Sequence, residues 1–210
     1  MYDELLGKQA AGDSLLLIPA GRVGSVTNRT VSLYGFRGAG STSDLLAEST
    51  HPYVITGHVG YSLDGGKTIY GFGPSVSEGM SAYEAIQSLR NGTSYPGVIS
   101  DDTFIFESVA NSTAMGRGGV PQTVYQQKIS VSQAQFDAIK TAHDAIGVGN
   151  PMVDVFYSFP VRGGVAPGGC HFNCATFPNS LGIPIPENSG VMKVYMPNLE
   201  KLGAPWRPMK

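Results

Sequence analysis

Apolar and polar positions alternate with a period of two over several short stretches, and with a helical period over two longer ones. SLLLIPAGRVGSV (residues 14–26) and TVSLYGF (30–36) both read as strands interrupted by glycine. The sharpest local pattern is YVITGHVGYSLDGGKTIYGFGP, residues 53–74. Two β-rich runs there flank Asp64-Gly65-Gly66, a turn sequence that supplies the positive-φ positions a tight hairpin needs, and Pro74 ends the second run. Ser81 to Gly92 predicts a short helix, opened by a capping box of Ser81 with Glu84 and closed by Gly92. Residues 94–120 look irregular apart from TFIFESV (103–109), whose alternation predicts a strand. TVYQQKISV (123–131) is a strand leading into Ser132, which with Gln135 makes a second capping box. The helix that follows carries Phe136, Ile139, His143 and Ile146 on one stripe. VDVFYSFPV (153–161) is a further strand. The Gly-rich loop RGGVAPGG then leads into CHFNCATF, read as a short helix whose first turn carries both cysteines. A Pro-rich tail holds a strand, MKVYMP, and a short helix, NLEKLG, capped by Asn198.

Strands and helices mixed in this way predict an α+β domain: a central antiparallel sheet with helices packed on it. Its 210 residues suit one domain, residues 1–210, with strands and loops of unassigned role in 1–50 and neither repeat nor linker. Charged residues are only 14% of the chain, while 28 Gly and 14 Pro make it loop-rich. The 9 Phe, 10 Tyr and 1 Trp argue for a packed core rather than disorder. A net charge of −2 with no run of Lys or Arg excludes a nucleic-acid footprint. Leu15 to Ala20 is too short to span a membrane, and the N-terminus lacks the basic start and apolar length of a signal peptide, so the sequons at Asn28, Asn91 and Asn111 read as chance matches.

Two cysteines cannot build a disulfide framework, and CHFNC has no second ligand pair for zinc. The turn DGG lacks the alternating carboxylates of a calcium loop. Neither a metal nor a cofactor is expected. A cysteine nucleophile needs a thiolate, which a helix N-terminus and a neighbouring imidazolium both favour. Asn173-Cys174 after a Gly-rich loop, with His58 in a well-defined strand, offers both ingredients. His171 is the rival base, but a helical neighbour would point away from the sulfur. His143 on its apolar stripe reads as core, and His51 before Pro52 as loop. Cys170 is auxiliary, able at most to shield Cys174 in a strained disulfide.

HVGYSLDGGKTIYGFGP followed far downstream by NCATF resembles the circularly permuted papain-like cysteine hydrolases: NlpC-type permuted peptidases, lecithin retinol acyltransferase relatives and toxin domains of secreted bacterial effectors. ISVSQAQFDAI is similar to the helix that toxin members carry ahead of the cysteine. The resemblance spans residues 53–74 and 128–177. It implies a permuted papain-like fold with Cys174 as nucleophile, Asn173 beside it and His58 as base. Such proteins usually place a third polar residue in the second hairpin strand, where this chain reads Tyr70-Gly71-Phe72-Gly73. Tyr70, Ser75, Asp154 or a backbone carbonyl are the candidates for that role. Pro178 stands where the helix should continue and is expected to end it early.

The leading expectation is therefore a cysteine-dependent hydrolase of amide bonds, a peptidase, amidase or deamidase acting on a peptide, glycopeptide or protein. The alternatives are a lipid acyl hydrolase or acyltransferase, disfavoured by the lack of an amphipathic anchor or basic patch, and an inactive papain-like binding domain. The likeness to effector toxins implies either a secreted effector without a cleaved signal or a protein cytoplasmic in the producing cell, with a cognate immunity protein as partner.

Overall fold

A computed structural model describes residues 28–38, 57–111, 122–159, 170–185, 196 and 199–208. Among the described residues the sheet has eight strands: β1 (Asn28–Arg37), β2 (Gly57–Ser62), β3 (Tyr70–Pro74), β4 (Tyr95–Asp101), β5 (Tyr125–Ser132), β6 (Val155–Tyr157), β7 (Cys170–Phe172) and β8 (Ala204–Pro205). They lie in the order β7-β6-β4-β3-β2-β1-β5-β8. Every neighbouring pair is antiparallel except β6 and β7, which are parallel. Helices α1 (Ala82–Arg90), α2 (Thr103–Asn111), α3 (Gln133–Ile146) and α4 (Phe177–Ser180) pack with the sheet, and residues 196 and 199–202 are also helical. The chain is thus an α+β protein built on a largely antiparallel sheet, as its periodicities predict.

The 53–74 hairpin forms as β2 and β3, with Gly60 opposite Gly71 and Tyr61 opposite Tyr70. Asp64 organises its connection: Oδ1 accepts from the amides of Lys67 and Thr68, while Gly65 and Gly66 take φ of 80° and 97°. Both capping boxes form, Ser81 with Glu84 on α1 and Ser132 with Gln135 on α3. On α3, Ile139 and His143 are buried, and Phe136 and Ile146 pack partly against the core.

Four expectations need correction. TFIFESV is helix α2, not a strand, because Asp101 Oδ1 accepts from the Thr103 amide and the Asp102 carbonyl from the amides of Ile105 and Phe106. Once the turn is started, Ile105, Phe106, Val109 and Ala110 share one buried face. The stretch read as irregular before it contains β4, in which Gly97 has a packing reason: a Cβ there would overlap the Phe72 ring. CHF is strand β7 rather than the first turn of a helix. Met196, within the expected strand MKVYMP, is helical. The expected strand at 14–26, the loop at His51, the 162–169 loop and the Asn198 cap lie outside the described residues.

Side chains of opposite parity bury on opposite sides of the sheet. Val31, Leu33, Val59, Tyr61, Phe72 and Ile99 join one cluster with Ile139 and Phe177. Tyr34, Phe36, Ile69 and Phe106 join the other, capped by Trp206. Among the described residues no helix is long and apolar enough to cross a membrane.

Candidate active site

His58 enters the sheet opposite Phe36 of β1 and is fully buried. Its ring lies between two apolar neighbours, with centroids 6.4 Å from Phe36 and 5.5 Å from Phe106. In that setting the imidazole needs polar partners, and two converge on it. His58 Nε2 donates to Asp102 Oδ2 at 2.6 Å, and Cys174 interacts electrostatically with the same ring. Burial by itself pushes the imidazole down. The hydrogen bond to Asp102 and the electrostatic influence of Asp102 and Cys174 outweigh that, and its pKa is raised to about 9.

Asp102 stands at the junction of β4 and α2, and the hairpin holds that junction. The Asp102 amide donates to the Ile69 carbonyl at 2.8 Å, and the Ile69 amide donates to Thr103 Oγ1 at 2.9 Å. Thr103 Oγ1 in turn donates to Asp101 Oδ1, so Asp101 is turned away from the imidazole. Ile69 immediately precedes β3, so the same hairpin carries His58 and fixes the backbone that supplies its carboxylate. Small residues leave room above the sheet. A Cβ on Gly60 would meet the Phe106 ring at 2.9 Å; one on Gly71 would overlap Asp102 Oδ2.

Cys174 follows β7 in a turn organised by Asn173. Asn173 Oδ1 accepts from the amides of Ala175 and Thr176, and its carbonyl from that of Phe177. Helix α4 starts only at Phe177 and spans four residues, with Pro178 in its first turn. Cys174 therefore sits three residues ahead of the helix rather than on its first turn, and from there it influences the His58 ring electrostatically. Phe177 docks the turn on the hairpin by stacking on Phe72, with centroids 4.0 Å apart and planes 6° apart. Cys174 itself is only 4% exposed.

The carboxylate bonded to His58 is thus that of Asp102, and none of the three residues expected in that place. Tyr70 lies on the opposite side of the sheet from Gly71, with its ring 4.5 Å from that of His143. There it lines an open cavity of about 350 Å3 with Arg29, Phe136 and Lys140. Ser75 lies past the end of β3, its amide bonded to the Pro96 carbonyl. Asp154 is exposed before β6. His171 is a strand residue opposite Phe156, and the side chains of Cys170 and His171 lie outside the described ones. His143 is core, as expected: its Nδ1 is 2.9 Å from the Tyr61 hydroxyl, and burial holds its pKa below the usual value. The signal that could have found Asp102 is Ser-Asp-Asp-Thr ahead of an apolar helical stripe, a helix start with one carboxylate more than a cap requires.

No protein-family model matches the chain, and no curated protein or solved structure matches it.

Proposed function

We propose that the protein is a cysteine hydrolase of amide bonds, built on the permuted papain-like plan, with Cys174 as nucleophile and His58 as base and later acid. Asp102 orients the imidazole. The observation that carries this reading is one buried ring that holds a carboxylate on Nε2 and is raised in pKa by both that carboxylate and the cysteine. Cys174 and His58 come from segments far apart in sequence. Asp102 supplies the third member missing from the second hairpin strand, which removes the main argument for an inactive binding domain.

The chemistry follows from these roles. The Cys174 thiolate attacks the substrate carbonyl carbon, forming the C–S bond and moving the carbonyl electron pair onto oxygen. The Cys174 amide is the proposed donor to that oxyanion. The tetrahedral adduct collapses, the C–N bond breaks, and the His58 imidazolium gives its proton to the departing amine. Water then attacks the thioester while His58 takes its proton. The acid leaves and the sulfur is returned to the imidazolium pair. A leaving amine from a peptide gives a peptidase; ammonia from a side-chain amide gives a deamidase. The likeness to effector toxins extends the reading to a secreted bacterial effector held in check by an immunity protein.

The test is incubation of wild type and Cys174→Ala with purified peptidoglycan, phospholipid vesicles and a bacterial lysate, read by mass spectrometry. New peptide termini or deamidated side chains are expected, lost in Cys174→Ala and largely kept in Cys170→Ala. Fatty-acid release alone would transfer the reading to a lipid acyl hydrolase. No Cys174-dependent product in any of the three would overturn it.

A further inference from the structure

The Asp102 carboxylate has two oxygens, and His58 uses one. The other, Oδ1, accepts a hydrogen bond from Ser100 Oγ at 2.7 Å. Ser100 lies in β4 directly opposite Gly71, on the face where Asp102 meets the imidazole. The Asp102 backbone is tied at both ends, its amide to Ile69 and its carbonyl to Ile105 and Phe106. The freedom left to the residue is in its side-chain torsions, and the last of these is broad in carboxylates. Gly71 opens the space in which the carboxylate could turn. A hydroxyl bound to Oδ1 removes that freedom, by a charge-assisted bond stronger than a neutral one.

We propose that Ser100 is a positioning residue of this site: its hydroxyl holds the Asp102 carboxylate so that Oδ2 meets His58, and acts on Cys174 only through that contact. The inference rests on the reading of Cys174 and His58 as the reacting pair, but its geometry can be measured whether or not a substrate turns over. Asp102 and Cys174 are the ionisable groups that face the imidazole among the described residues. Phe36 and Phe106 pack against it without charge, and Asp101 is engaged by Thr103.

The experiment titrates the His58 ring by NMR in the full chain and follows alkylation of Cys174 by iodoacetamide near neutral pH. In Ser100→Ala the carboxylate turns, the imidazole loses part of its partner, and its proton affinity falls about tenfold. Alkylation slows several-fold, and Ser100→Thr restores both. A titration unchanged or moved upward in folded Ser100→Ala overturns the proposal. Should that variant not fold, Ser100→Cys, near in shape but a weak donor, is titrated in its place and must show a downward shift. A Ser100 effect without any Cys174-dependent product leaves the positioning role standing and removes the hydrolase. The reverse result removes only the role of Ser100.

Discussion

An alanine methyl at position 71 would fall into the gap where Asp102 Oδ2 approaches His58 Nε2, overlapping the carboxylate oxygen and crowding the ring nitrogen. Such a contact cannot be relieved by a flexible side-chain end, because both atoms belong to the bond that defines the site. Gly71→Ala is therefore expected to break the His58–Asp102 bond, and so to reduce Cys174-dependent turnover about as much as Asp102→Asn does. Turnover of both variants side by side checks it; a Gly71→Ala protein with wild-type turnover would contradict the geometry. His143 provides the opposite control. Its ring partners the Tyr61 hydroxyl on the other side of the sheet. His143→Phe leaves that buried hydroxyl without a partner, at a cost of about 1–3 kcal/mol in urea unfolding. Cys174 alkylation should be unchanged.

At the level of elements, the caps and the docking contacts do different work. Ser132 starts α3 by accepting from the Gln135 amide, a local bond that touches nothing near Cys174. Ser132→Ala should cost about 1 kcal/mol of stability with the alkylation rate of Cys174 kept. Phe177 stacks on Phe72 and also meets Phe172 edge-on, joining the Cys174 turn to β3 and β7. Phe177→Ala should cost about 3–5 kcal/mol and also change the alkylation rate, because the turn loses its anchor on the hairpin. Equal alkylation in the two variants would show that the turn is held elsewhere. Helix α2 is the element whose alternation misleads. Phe104 is 72% exposed while Ile105 and Phe106 are buried, a pattern a strand would not produce.

For the molecule as a whole, the buried imidazole links folding to pH. Its pKa is about 9 in the fold against the usual 6.5. A raised value means that protonated His58 favours the folded chain. That stabilisation is complete below about pH 6.5 and fades as pH rises through about 9. It amounts to roughly 3 kcal/mol, since a tenfold gain in proton affinity on folding is worth about 1.4 kcal/mol. Urea unfolding between pH 6 and pH 10 should show this loss in the wild type and not in His58→Gln; parallel curves would remove the assignment. Sequence alone determined what neighbours within a few residues can satisfy. The Asp64 turn, the two capping boxes and the strands at 30–36 and 123–131 all follow from local pattern, and Cys174 and His58 stand out by their chemistry. Tertiary structure alone decided that β4 pairs with β3, placing Ser100 opposite Gly71 and Asp102 over it. No local pattern distinguishes Asp102 from Asp101: one caps a helix and the other meets an imidazole 44 residues away. The difference lies in strand register and in the space left by a glycine, and both exist only once the sheet has formed.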